Sequence, residues 1–346
     1  MKLYPKVASI FIIWLISVLF ITYFGFSTLP HSNKFEYDFF GSFGNWDGGH
    51  FLGIAKAGYS QKFQYAFFPL YPLAIKILSL VTHNFLLAAV LISMVATFLG
   101  LNLLYKLVIE DFDKKIATET VLIFLFFPTS FFLLTAYSEG LFFFLAVLTF
   151  YLLRQKKLFW GVAAAALVSA TRLAGLAVGA GLIAEVIATQ GFNRKNWYII
   201  FAPAGFVIYC IYLYLQTGDP FYFITAENHW QRTLAVPTAG FWQALTNVTS
   251  FNIFLDLIFA ILGVGFAVRS LRFLPPSLAI YSLLSVGIPL FTATLSSMPR
   301  FLLPVFPIFI LMALIKKPLI SISLRVFSIM LLAEFSTLFI TGYFVS

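Results

Sequence analysis

Seven ionisable side chains stand out of a chain that is otherwise largely apolar: Asp47, Glu139, Arg172, Glu227, His229, Arg232 and Arg300. By type they offer a carboxylate able to take the proton of a hydroxyl nucleophile. They also offer cations able to hold a phosphate ester. Asp47 stands in "NWDGGHFLG", beside Trp46 and three residues before His50. Locally, a helix-capping carboxylate accounts for Asp47 as well as a catalytic one does. Glu139, in "TAYSEGLFF", falls in a sharp turn, where a carboxylate is ordinarily just solvated. Arg172, in "SATRLAG", is harder to set aside. A charge inside an apolar stretch costs about 2.5–3.5 kcal/mol on insertion scales, so it must snorkel to a surface or face a polar cavity.

The other members stand in "GDPFYFITAENHWQR" and "SSMPRFLLPVFP". Asp219 then Pro220 reads as a helix start. The helix is expected to bury Phe221, Phe223 and Ile224 and then present Glu227, His229 and Arg232. The last two are three residues apart and so nearly on one face. Arg300 is expected at the mouth of an apolar segment, where simple anchoring also explains it.

These groups must be positioned by apolar elements. Of 346 residues, 61% are hydrophobic, 10% are charged and 44 are Phe. An average soluble domain is about 45–50% apolar and about 25% charged. The composition describes a single multi-span membrane domain over 1–346. The net charge of +9 lies in short clusters between apolar runs, a mark of membrane topology rather than of a nucleic-acid partner. The first run, Val7 to Leu29, is too long for a signal-peptide core and reads as a retained span. Cys210, the single cysteine, reads as a packing residue.

A ruler of about 20 residues per crossing gives spans near 7–29, 84–109, 116–136, 140–154, 158–171, 173–190, 197–216, 251–268, 276–293, 301–315 and 318–343. The stretch 158–190 reads as one helix or two, and 69–83 as re-entrant or interfacial. With about eleven spans the N-terminus is cytoplasmic. Fifteen of the 22 basic residues then fall inside and seven, including Lys34, Lys56 and Arg172, fall outside. Two long polar segments, 30–83 and 217–250, lie outside with all seven ionisable groups. In the first, Trp46, Phe51, Ile54, Ala55, Gly58 and Tyr59 recur at helical spacing, as in an amphipathic helix lying on the membrane. Phe67, Phe68 and Tyr71 read as an aromatic belt.

No cofactor and no divalent metal are expected. The four histidines (31, 50, 83 and 229) are not spaced as ligands, "EYD" at 36–38 is a weak hint, and "EDFD" at 110–113 lies inside. There is no P-loop or GxGxxG. A lipid-binding or lipid-flipping protein without chemistry would need a polar path, for which Glu185, Asp256 and Glu334 are scattered candidates.

The stretch "WDGGHFLGIAKAGYS…YAFFPLYPL" resembles the signature of the PIG-V family, the second mannosyltransferase of GPI-anchor assembly, and its prokaryotic relatives. "FFPTSFFLLTAYSEGLFF", "ATRLAG", "GDPFYFITAENHWQR" and "PRFLLPVFPIF" resemble later family signatures in the family's order. The resemblance implies an all-α, GT-C-type glycosyltransferase fold and a site on the extracytoplasmic face. It implies a polyprenyl (dolichyl-type) phosphate-mannose donor and inversion to an α-mannoside on a lipid or glycan acceptor. Asp47 matches the family's expected base. Arg172, Arg232, Arg300 and His229 become donor-phosphate candidates, and Glu139, Glu227, Trp46 and His50 supporting polar groups. A prokaryotic relative in the plasma membrane is expected, or an ER protein if the source is eukaryotic. Another polyprenyl-phosphate sugar, and a partner subunit, stay open.

Overall fold

The computed structural model describes residues 3–35, 38–248 and 250–345. Lys2 of the charge count, and Glu36 and Tyr37 of the "EYD" pattern, lie outside them. No strand occurs among the described residues, where pairing of that kind is confined to a bridge between Leu234 and Thr292.

Among the described residues, four helices are long and apolar enough to cross a membrane: Pro5–Thr28, Phe85–Asp111, Phe251–Phe273 and Pro318–Ile340. Five shorter apolar helices accompany them: Leu70–Thr82, Leu158–Ser169, Gly175–Gln190, Ala204–Thr217 and Pro276–Leu290. The chain is thus an all-helical membrane protein. Several expected spans are shortened by local chemistry. The segment expected at 116–136 is helical only over Lys114–Leu125; Asp113 caps its start, accepting from the amides of Lys115 and Ile116 at 2.7 and 2.8 Å. Pro128 follows its end, and an irregular stretch with a 3-10 turn at Ser130–Leu133 takes over. The segment expected at 301–315 is two short helices, Met298–Leu302 and Pro307–Ala313, separated around Pro304. The stretch 158–190 resolves into two helices, with Arg172 in the break.

The chain divides into two compact units. Unit one comprises residues 1–56, 74–144 and 309–345; unit two is formed by 57–73 and 145–308. In unit one, Trp14 is fully buried, and its indole N–H donates to the Ser130 hydroxyl at 3.1 Å. Below Tyr137, the rings of Phe132 and Phe339 lie 4.6 and 5.7 Å from it. Gly140 sits where the Glu139–Arg154 helix meets Phe85–Asp111: a Cβ there would lie 2.5 Å from the Ser93 carbonyl oxygen. Gly140→Ala should therefore destabilise the protein by about 1–3 kcal/mol, visible as a lower melting temperature in detergent.

Two expectations about apolar faces are corrected. The helix begun at Asp47 exists, spanning Asp47–Ala57, but Phe51, Ile54 and Ala55 are buried within the protein rather than laid on lipid, and the Phe51 ring faces Tyr137. Phe67, Phe68 and Tyr71 are likewise core residues and not a belt. In unit two, Phe68 packs on Tyr209 and Phe223, with ring centroids 4.9 and 5.7 Å away. Phe223 is buried as expected, but Phe221 is exposed.

Candidate active site

In unit one, the site begins with the turn that delivers Asp47. Asn45 is buried, and its side-chain amide donates to the Phe339 carbonyl at 3.1 Å. Its own carbonyl accepts the Tyr137 hydroxyl at 3.0 Å and the Gly48 amide at 3.1 Å. Trp46 then adopts φ 56°, a left-handed conformation that a bulky residue rarely takes. Such strain persists only where surrounding contacts impose it. Here they are rings: Phe35 and Phe344 lie edge-on at 5.4 and 5.3 Å, and Lys34 sits 4.6 Å over the indole. The reversal makes Asp47 the first residue of its helix, half-buried, where the exposed N–H groups favour a carboxylate. His50 follows one turn later, also half-buried. Gly48 is close-packed: a Cβ would stand 3.4 Å from the Tyr137 ring.

Glu139, expected to be a solvated turn residue, is fully buried. The turn before it is tied down at several points. The Ala136 amide donates to the Phe43 carbonyl at 2.9 Å, and the Ser93 hydroxyl donates to the Tyr137 carbonyl at 2.9 Å. Segments 43–48 and 136–139 are thus bonded directly, which brings Asp47 and Glu139 into one neighbourhood. Glu139 also opens a helix, so the same N-terminal field acts on both carboxylates. Tyr137, not singled out from the sequence, links the two segments. Tyr137→Phe should cost about 1 kcal/mol of stability and lower kcat more than it raises KM, in thermal melts and steady-state kinetics.

In unit two, the arginines gather on Phe301. The Arg232 guanidinium lies 4.4 Å from the ring centroid and that of Arg172 lies 5.8 Å from it. Arg300 is the preceding residue, on the short helix Met298–Leu302. That helix is held by a contact 42 positions away in sequence: Asp256, buried in its apolar helix, accepts the Met298 amide at 3.0 Å. Arg232 reaches Phe301 because residues 233–235 pair with 291–293, through Ala235 N–H to Phe291 O at 2.9 Å and Ala293 N–H to Thr233 O at 3.0 Å. It also donates to the Ser296 carbonyl at 3.1 Å and lies 3.7 Å from the Glu227 carboxylate.

The expected shared face of His229 and Arg232 is overturned. The helix stops at Glu227, a 3-10 turn carries Asn228–Trp230, and Gln231 turns the chain at φ 59°. Arg232 folds back toward Glu227, while His229 is exposed and stacks on Phe63 at 4.4 Å with rings nearly parallel. Nor does Asp219 cap a helix beginning at Pro220: it accepts the Phe221 amide at 2.8 Å, and the helix is Tyr222–Glu227. Nearby, the Tyr59 hydroxyl donates to the Phe67 carbonyl at 2.7 Å, and burial pushes its pKa upward, so it stays a neutral donor.

Of the three carboxylates that could have marked a polar path, Asp256 serves as the cap just described. Glu185 pairs with Arg154 at 2.8 Å, and Glu334 lies on the exposed side of its helix. Each has its own local setting.

The fold is that of a helical membrane protein, with carboxylates at helix starts in unit one and arginines stacked on an aromatic ring in unit two. Residues 15–195 match the family described as Mannosyltransferase (PIG-V), more than half of the chain, and the protein belongs to that family. Over 109 residues it is 34% identical to GPI mannosyltransferase 2 of Drosophila pseudoobscura pseudoobscura, covering 28% of this chain and 24% of the fly protein. The crystal structure of the Archaeoglobus fulgidus oligosaccharyltransferase in complex with Zn and sulfate aligns with a TM-score of 0.46 at 15% identity. That alignment covers 97% of this chain and 53% of the archaeal one. This chain thus matches about a quarter of the fly protein's length and about half of the archaeal protein's.

Proposed function

We propose that this protein is an inverting α-mannosyltransferase that moves mannose from a polyprenyl (dolichyl-type) phosphate to a lipid or glycan acceptor, in a GT-C-type architecture. Family membership supports the sugar and the reaction class. The observation that carries the mechanism is the setting of Asp47, held in the first turn of its helix by the bonds of Asn45 and Tyr137.

Asp47 accepts the proton of the acceptor hydroxyl as that oxygen attacks C1 of mannose, opposite the phosphate. The C1–O bond to phosphate breaks and the leaving group departs as a phosphate monoester bearing the polyprenyl chain. A single displacement needs a base on the acceptor side. The leaving phosphate is weakly basic and needs no protein acid. It gains negative charge, and cations fixed near it stabilise the transition state more than the ground state. Arg232 and Arg172, oriented by Phe301, and the adjacent Arg300 are assigned that task. His229, stacked on Phe63, is assigned to the wall of the donor site rather than to the phosphate. Glu139 and His50 support the geometry around Asp47, Trp46 shapes its turn, and Glu227 orients Arg232. The reaction takes no cofactor, and the guanidiniums carry the charge that a divalent metal would otherwise neutralise. The positive-inside bias assigns this chemistry to the extracytoplasmic side, with the N-terminus in the cytoplasm.

Donor competition tests the reading. Purified protein in lipid should transfer label from polyprenyl-phosphate mannose, with full rate after chelator treatment, and unlabelled polyprenyl-phosphate glucose should compete poorly. Equal use of glucose would overturn mannose, and loss of rate on chelation would overturn the arginine assignment.

A further inference from the structure

Unit one carries a second feature, at the end opposite Asp47. Between helices Lys114–Leu125 and Pro318–Ile340 lies a cleft of about 200 Å³. Its walls are apolar, with Leu122, Phe126, Met312 and Ile329 among them. The one charged residue lining it is Arg325, whose Nη2 donates to the Ser321 hydroxyl at 3.0 Å and meets Glu119 at 2.8 Å. Its Nε is buried with no hydrogen-bond partner among the described residues, although 40% of the side chain is exposed. Lys114 and Lys115 start one helix, Lys316 and Lys317 immediately precede the other, and all four are exposed.

The two ends of this arrangement ask for different things. Ser328 lies ten residues beyond Pro318, so the cleft reaches about 15 Å down the helix at 1.5 Å per residue. That is about half of the ~30 Å hydrocarbon, the depth of one leaflet. An apolar slot at that depth takes an acyl chain. Five cations stand near this end, Lys114, Lys115, Lys316 and Lys317 where the helices emerge and Arg325 below them. Of the carboxylates nearby, Glu119 is paired with Arg325, Asp113 caps the Lys114–Leu125 helix, and Glu110 and Asp111 end the preceding helix, so a surplus of positive charge is left for an anionic headgroup. Basic pockets between membrane helices on the cytoplasmic side bind such headgroups, and the positive-inside bias assigns this end to that side. A guanidinium with an unused N–H, halfway between rim and slot, is suited to a phosphodiester oxygen.

We infer that this cleft is a binding site for one anionic diacyl phospholipid, with an acyl chain between the two helices and its phosphate on Arg325 and the lysine rim. The site is separate from the residues assigned to mannosyl transfer and does not depend on that reaction.

The test is lipid titration of the full-length protein in neutral detergent, read by native mass spectrometry. The probes are phosphatidylglycerol, phosphatidylcholine with the same acyl chains, and glycerol 3-phosphate. One phosphatidylglycerol should be retained at least about tenfold more tightly than phosphatidylcholine, with glycerol 3-phosphate failing to displace it. Each lysine removed in Lys316→Gln and Lys317→Gln should weaken retention about fivefold; these exposed positions do not threaten the fold. Arg325→Gln should remove the preference for the anionic lipid. Leu122→Trp, which fills the slot, should block it in protein that still elutes as a single species. Equal retention of both lipids, full displacement by glycerol 3-phosphate, or unchanged retention in folded Leu122→Trp would each overturn the site. So would a protein dimer that forms at this face and excludes the lipid.

Discussion

Asp47→Asn is expected to lower kcat by about 10²–10⁴-fold, the contribution of a positioned general base, while donor affinity stays at the wild-type level. The substitution keeps the shape of the side chain and a polar group at the helix start, so the helix and its turn should persist. What it removes is the capacity to take a proton as the acceptor oxygen attacks. Single-turnover rates with pre-bound donor separate this from a binding defect. A capping carboxylate predicts something different: Asn is also a good capping residue, so a purely structural Asp47 would tolerate the change with little loss of rate. The melting temperature of the variant provides the control, because a fold defect would appear there first. Normal turnover in Asp47→Asn would remove the base from the account.

The second large effect is expected at Arg232. Replacement by Ala should cost about 10²–10³ in kcat, as for other groups that stabilise developing negative charge, and should weaken donor binding as well. The informative variant is Arg232→Lys. It keeps the charge but loses the planar fork that lies 4.4 Å over Phe301 and donates to the Ser296 carbonyl at the same time. Lys should therefore recover only a small part of the lost activity. Arg172 shares the Phe301 ring, so Arg172→Ala and Arg232→Ala should combine with less than additive loss. Measured kcat and donor affinity for both singles and the double variant check this. Full activity in Arg232→Lys would mean that charge alone matters and that the stacking is incidental.

How far the sequence revealed this site varies residue by residue, for physical reasons. The helix at Asp47 was legible because Asn, Asp and two glycines precede a run at helical spacing. The break at Arg172 was legible as an energetic problem, since an arginine in an apolar stretch must reach a polar surface, though whether the stretch held one helix or two was not. The fate of His229 and Arg232 was hidden by Gln231. A glutamine at φ 59° carries no local signature, and one such residue redirects everything after it. Glu139 looked like a turn residue because the partners of that turn, Ser93 and Phe43, are 46 and 96 positions from it in sequence. Asp256 looked like a stray charge for the same reason: the amide it accepts belongs to Met298. Phe301 stood next to Arg300 inside a noted motif, yet its role as a platform depends on the pairing of 233–235 with 291–293, which no periodicity announces. Span lengths were overestimated where Pro128 and Pro304 interrupt apolar runs, because hydropathy averages over prolines that end helices.

The central claim is inverting transfer of mannose from a lipid-linked phosphate, and product stereochemistry tests it most directly. Protein reconstituted in lipid would be given labelled β-linked polyprenyl-phosphate mannose and a lipid and glycan extract from its source, and the linkage of the labelled product determined. The account predicts label on an acceptor hydroxyl in α linkage, released by an α-specific mannosidase and absent with Asp47→Asn. A β-linked product would mean retention and a covalent or otherwise different mechanism, contradicting the role given to Asp47.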